Sequence, residues 1–237
     1  MSKFERRDLL LNDNQIEILN NSKIMIFGLG GVGGYVFEAL IRMGIKNLSI
    51  CDGDNFQESN LNRQILSTID SINKTKVETA ISRALQINEE SHIEAYNMFI
   101  NKDNINEISF NNVDYIIDAI DDVNAKILLI KKAKELNIPI ISMMGAGNRL
   151  KANFIVSDIY KTKNDPLSKK MRNILKKENI DSLKVVYTTD LPNKLNKETN
   201  NIGSISYVVG LAGLTIAQEV ISDLLKLWYN NFTCTHS

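Results

Sequence analysis

The stretch Lys23–Asp54, KIMIFGLGGVGGYVFEALIRMGIKNLSICDGD, decides the fold. KIMIFG is a short apolar run stopped by glycine and reads as a strand, GVGGYVFEALIRMG carries apolar residues at helical spacing, and NLSICD reads as a second strand. Between the first strand and the helix, Gly28, Gly30 and Gly33 stand at GxGxxG spacing, with Gly31 among them. In that context the backbone can approach a phosphate at a helix N-terminus, and an acid at the end of the second strand, here Asp52, can bind ribose hydroxyls. A nucleotide site is expected. The glycines serve NAD and ATP equally, so they settle the site and not the chemistry.

Outward from this unit the rhythm repeats. KTKVETAISRALQIN and DVNAKILLIKKAKELN read as helices, and HIEAYNMF, VDYIIDAI and IPIISMM as strands. Strands separated by helices predict an α/β fold, a Rossmann-like, mainly parallel sheet with helices on both faces. Beyond Gly145 the order changes. NFIVSDI and KVVYTT are further strands around DPLSKKMRNILKKENI, a basic amphipathic helix with Asp165 as cap and Pro166 at its first position. The polar loop DLPNKLNKETNNIGS then leads into an apolar helix from about Ser204. The sheet is therefore expected to be extended by a C-terminal antiparallel portion and a long apolar helix.

At 237 residues and 43% hydrophobic content, the chain can bury one good core but is short for two independent domains. Residues 1–227 are expected to form one unit: an N-terminal arm at 1–22, a C-terminal portion at 145–227, and a flexible tail at 228–237. Lys+Arg and Asp+Glu both number 28, so no global field attracts nucleic acid or membrane, and any polyanion must meet a local patch. Cys51 and Cys234 are the only cysteines, which excludes a disulfide framework and a four-cysteine zinc site and fits a reducing, cytoplasmic setting. MSKFERRDLL lacks the apolar run of a signal peptide. ISYVVGLAGLTIAQEVISDLL is interrupted by Gln218, Glu219 and Asp223, so a buried helix is expected there, not a membrane span.

After Asp52 come Asp54, Asn60, Arg63 and Gln64, then Lys76 at the start of the next helix. Guanidinium and ammonium groups neutralise phosphate charge and amides orient it, which suits a triphosphate. Asp121 and Asp122 follow the DAI strand end, where a carboxylate can hold magnesium together with phosphate oxygens. An NAD enzyme needs a proton donor instead, and the only histidines, His92 in a strand and His236 in the tail, are poorly placed for one.

The order GLGGVGG, D-G-D, SNLNRQ, K-T-K-V-E, D-A-I-D-D resembles the adenylating fold of the ubiquitin-activating-enzyme superfamily, which includes ThiF and MoeB. The resemblance implies ATP and magnesium as cofactors. It places Gly30 and its neighbours at phosphate, Asp52 at ribose, Asn60, Arg63 and Lys76 at the triphosphate, and Asp121 at the metal. These enzymes join a carboxylate to AMP and release pyrophosphate. Relatives that activate sulfur carriers usually hold zinc with two CxxC pairs, which this chain lacks.

The opening KFERRDLLL, the SMMGAGNRL turn and the block VSDIYKTKNDPLSKKMRNILKKENI with KVVYTTDLP resemble instead the bacterial tRNA threonylcarbamoyladenosine dehydratases. That branch implies a homodimeric, ligase-type enzyme acting on tRNA, with a sulfur-transfer protein as a further possible partner. It also implies that Arg6 reaches into the ATP site of the dimer mate. A carboxylate attacked by a nitrogen of its own side chain needs no thiol relay. RNA contact is expected from Lys161, Lys163, Lys169, Lys170, Arg172, Lys176, Lys177 and Lys184, opposed only by Asp165, Glu178 and Asp181. Three alternatives stay open: an activating enzyme for a sulfur-carrier or ubiquitin-like protein, an NAD(P)-dependent oxidoreductase, and a nucleotide-binding scaffold without turnover.

Overall fold

Along the chain, the residues described by this computed structural model, 2–193 and 202–227, form strands β1 (Lys23–Phe27), β2 (Asn47–Cys51), β3 (His92–Tyr96), β4 (Tyr115–Asp118), β5 (Ile140–Met143), β6 (Phe154–Asp158) and β7 (Lys184–Thr188). They build one sheet in the order β3-β2-β1-β4-β5-β7-β6, with every neighbouring pair parallel except β6 and β7. The helices are α1 (Glu5–Asp8), α2 (Asp13–Asn21), α3 (Gly33–Arg42), α4 (Lys76–Ile87), α5 (Val123–Glu135), α6 (Pro166–Lys177) and α7 (Ser206–Leu224). The tail, with Cys234 and His236, and most of the polar loop before α7 lie outside the described residues.

The apolar runs of the central strands feed two cores by alternation. In β1, Ile24 and Ile26 pack with α2, α3, α4 and α7, while Met25 and Phe27 face α5 and α6 on the other side. Tyr115 and Ile117 of β4 likewise point one way and Ile116 the other. Each such fully buried side chain contributes about 1.5–3 kcal/mol relative to exposure. The reason the runs lack polar alternation is thus that both faces are covered.

Helix starts follow local chemistry. Thr75, Asp122 and Asp165 accept the N–H groups of Glu78, Ala125 and Ser168, and Pro166 opens α6 where its missing N–H costs nothing. The apolar helix of the sequence is α7, 19 residues with mean hydropathy 1.2, and 56% of that span is buried in the protein. Gly213 lets it approach α3 closely: a Cβ there would lie 2.6 Å from the carbonyl oxygen of Val32. Its acids Glu219 and Asp223 meet Lys184 Nζ at 2.7 Å each, and Asp223 also accepts the Tyr115 hydroxyl. Lys184 is therefore not part of the basic stripe expected from the sequence, because helix acids hidden by the linear order neutralise it.

Candidate active site

The site lies where the C-terminal ends of β1, β2 and β4 meet. Gly28 leaves β1 at φ +89° and donates its N–H to Cys51 O at 2.8 Å; a Cβ there would come within 2.7 Å of Ala119 O. At Gly33 a Cβ would overlap the carbonyl oxygen of Gly28. Both glycines are thus required by close backbone approach. Gly30 is different, since the nearest heavy atom to its Cβ position is Gln64 Nε2 at 3.9 Å, which leaves room above the loop. Gly31 faces Val209 of α7 at 3.2 Å. Gly33→Ala is expected to lower both the melting temperature and ATP affinity, because the loop must open to admit the methyl; unchanged values in thermal and ATP titrations would refute this crowding argument.

Asp52 sits one residue beyond β2. Its Oδ2 accepts Leu29 N–H at 2.6 Å and its Oδ1 accepts Asp54 N–H at 2.9 Å, so the acid is pinned between the glycine loop and the next turn. A bridge between Asn55 and Thr75 brings the first residue of α4 alongside. The buried Lys76 ammonium then lies 2.8 Å from Asp54 Oδ2 and 3.4 Å from Asp52 Oδ2. Asp52 keeps its two backbone donors if that ammonium turns to a phosphate.

The Asn/Arg/Gln cluster forms a short 3-10 turn, Glu58–Asn60, and the loop after it. Asn60 Oδ1 accepts Gln57 N–H, leaving its amide nitrogen for a ligand. Arg63 donates to Ser59 O and Asn62 Oδ1 at 2.8 and 3.0 Å. Gln64 is buried beside Gly30, and its Oε1 has no donor among the described residues. An orphaned buried oxygen costs about 1–3 kcal/mol. The Gln64 atom nearest Gly30 is the amide nitrogen Nε2, a donor that suits a phosphate oxygen on this loop, while a water or a ligand hydroxyl would satisfy Oε1.

At the end of β4 the acids divide their roles. Asp118 is fully buried, both its oxygens receive Lys126 Nζ at 2.9 Å, and its Oδ1 accepts Ile120 N–H at 3.2 Å. Burial raises the Asp118 carboxyl above its ordinary value although Lys126 pulls it down. Asp122 caps α5, so the expected pair reduces to Asp121, which is exposed with no hydrogen-bond or ion-pair partner among the described residues. No group of three or more His, Cys, Asp or Glu able to hold a metal occurs among the described residues. A single carboxylate fits magnesium, whose remaining ligands can be phosphate oxygens and waters.

Three features of the site were not legible in the sequence. Lys126 has the look of one more helix lysine, yet it ties the Asp118 turn in place. Phe99 is 65% exposed and crosses so close to Gly53, the residue after Asp52, that a Cβ there would sit 2.7 Å from both its ring and its backbone nitrogen. The glycine in D-G-D was the available signal. Arg7, not Arg6, anchors α1: it donates to Met43 O and Asp8 and stacks on Phe4, and Gly44 makes room for it. Arg6 is left exposed.

Cys51 is buried, and burial with the adjacent Asp52 pushes its thiol up to about 12, so it is not a nucleophile at neutral pH. An open groove of about 720 Å³ lies between Asn47, His92 and Glu94 at the opposite strand ends and plays no part in this site.

The profile of the ThiF family matches residues 6–235. A tRNA threonylcarbamoyladenosine dehydratase from Bacillus subtilis is 32% identical over 95% of this chain and 96% of its own length. A molybdopterin-synthase adenylyltransferase from Haemophilus influenzae is 28% identical over 90% and 79%. The crystal structure of Escherichia coli tRNA N6-threonylcarbamoyladenosine dehydratase in complex with ATP superposes with a TM-score of 0.88 at 26% identity, covering 96% of each chain. With the glycine loop, the pinned Asp52 and the SNLNRQ turn converging at one end of the sheet, these likenesses place the chain in the ThiF family of adenylating proteins.

Proposed function

We propose that this protein is a cytoplasmic, ATP-dependent tRNA-modifying enzyme that adenylates the threonyl carboxylate of threonylcarbamoyladenosine and lets it close to a cyclic form. The observation that carries this reading is the likeness to dehydratases over nearly the full length of both chains, joined to a site whose donors suit a triphosphate. We read residues 1–227 as one adenylating unit.

ATP is a substrate here. The carboxylate oxygen attacks the α-phosphorus, the bond to the β-phosphate breaks, and pyrophosphate leaves with the developing charge. Arg63 and Lys76 lie where they can stabilise that charge, and the Gly30 loop holds phosphate. Asp121 would hold magnesium, which supplies charge neutralisation between phosphates. A nitrogen of the same side chain then attacks the acyl carbon and loses its proton, and AMP departs. Intramolecular attack of this kind reaches effective molarities on the order of 10⁵ M or more. The inert Cys51 thiol agrees with a route that uses no thioester.

Dimerisation of the chain is supported by an apolar surface beside the site. Tyr207, Leu211 and Leu214 are about half exposed along one face of α7; the exposed Leu61 lies in the neighbouring SNLNRQ segment and the exposed Ile65 directly follows it, and Asn62 Nδ2 ties that segment to Ser204 O just before α7. Pyrophosphate release that depends on tRNA tests the function; release driven instead by a small carrier protein favours the sulfur-carrier reading, which the molybdopterin-synthase relative keeps as second choice.

Asp121→Ala is expected to raise the magnesium concentration needed for half-maximal pyrophosphate release while the melting temperature stays unchanged, because an exposed carboxylate contributes little to the fold. An unchanged magnesium dependence would move the metal to another acid.

A further inference from the structure

Charge is segregated on this molecule in a way that its balanced total conceals. Within residues 161–177, Lys161, Lys163, Lys169, Lys170, Lys176 and Lys177 are exposed, and the one acid, Asp165, is buried. Asp165 points inward, where it takes the N–H and hydroxyl of Ser168, caps α6 and meets Arg149 at 3.4 Å. Arg172 is also drawn inward, onto Thr162. The outward side of α6 and of the turn before it therefore carries only positive charge.

None of those six lysines has an ion-pair partner among the described residues, whereas Lys3, Lys23, Lys46, Lys131, Lys132 and Lys184 each meet an acid. Favourable interaction with the helix dipole accounts for Lys176 and Lys177 in the last turn of α6. It does not account for Lys161, Lys163, Lys169 or Lys170, which lie before the helix or near its positive end. Their mutual repulsion has no structural compensation within the described residues.

Position adds direction to this charge. The cap Asp165 lies 3.5 Å from Gly145 N–H in the loop just beyond β5, and β5 is the neighbour of β4, whose end leads to Asp121. The basic face thus begins beside the candidate active site. From there α6 extends roughly 18 Å, at about 1.5 Å for each of its 12 residues. No aromatic side chain occurs within α6, so the helix itself offers contacts to phosphates.

We propose that the outward face of α6, with Lys161 and Lys163, holds the phosphate backbone of the tRNA flanking the nucleotide in the active site. This rests on the tRNA substrate proposed above. The contacts are to backbone, so they set affinity and orientation, while the modified base at the ATP site sets which nucleotide reacts.

The test compares the parent protein with a Lys161→Gln/Lys163→Gln/Lys169→Gln/Lys170→Gln variant, using tRNA that carries threonylcarbamoyladenosine. Lys102→Gln, next to the opposite edge strand β3, is the control. The slope of log affinity against log salt is expected to flatten by about 0.7–0.9 for each phosphate that the variant no longer neutralises. The KM for tRNA should rise on the order of tenfold or more at physiological salt. Saturated turnover, ATP affinity and melting temperature should stay at the parental values, and the Lys102 control should match the parent throughout. Parental salt slope and KM in the fourfold variant overturn the docking face alone. A parent that neither binds nor converts tRNA overturns the substrate reading on which it rests.

Discussion

Turnover should fall on the order of 10³-fold when Arg6 is replaced by alanine, with ATP affinity nearly unchanged, as for an arginine supplied in trans to phosphoryl chemistry. The geometry within one subunit gives this its force. Arg7 fixes α1 to Met43 and Gly44 at the C-terminal end of α3, whereas the glycine loop stands at the N-terminal end. The 10 residues of α3 separate the two by about 15 Å. Arg6 is exposed at the far end from its own ATP site, so a catalytic role requires a second subunit. Mixing Arg6→Ala with Lys76→Ala protein should then restore activity, because hybrids hold one site with both residues intact. Parental turnover in Arg6→Ala, or no recovery on mixing, removes the arm from the mechanism.

The second large effect concerns stability. Lys126→Met is expected to cost about 3–5 kcal/mol, since it leaves the Asp118 carboxylate buried without its cation. Asp118→Asn in the same chain should recover most of that loss, because the amide oxygen still accepts Ile120 N–H and no charge remains. The pH dependence has a definite sign. Burial already raises Asp118 and must raise it further without Lys126, so between the unfolded value, near 3.8, and the folded one, the native state binds more protons than the unfolded state. The deficit of Lys126→Met should therefore shrink in acid and widen as pH rises through the folded value. Denaturant titration from acid to neutral pH checks this, and a deficit independent of pH would mean that the lost stability comes from packing alone.

How far the sequence could be read depended on where each signal resides. Strand and helix identities followed from periodicity because the buried runs and the amphipathic helices differ sharply in spacing, as KIMIF and α3 illustrate. The candidate nucleotide residues stood out because the glycines follow β1 and the polar groups follow β2 and open α4. Contacts between distant segments were not. Nothing near Lys184 announces Glu219 and Asp223, so its charge was assigned to the surface. Lys126 resembles Lys131 and Lys132 in sequence, and only the way α5 turns it onto β4 sets it apart. The twin arginines in KFERRDLLL are separated in space by Gly44, which receives Arg7 alone. Asp121 and Asp122 are likewise a pair in sequence but a free carboxylate and a helix cap in space.

The central claim is that ATP is spent on the carboxylate of a modified nucleoside in tRNA. It is met most directly by incubating the protein with ATP, magnesium and tRNA bearing threonylcarbamoyladenosine, then analysing the nucleosides by mass spectrometry. The account predicts that the modified nucleoside loses one water, with one AMP released for each conversion. An unchanged nucleoside, under conditions where the same protein adenylates the C-terminus of a small carrier protein, would contradict it.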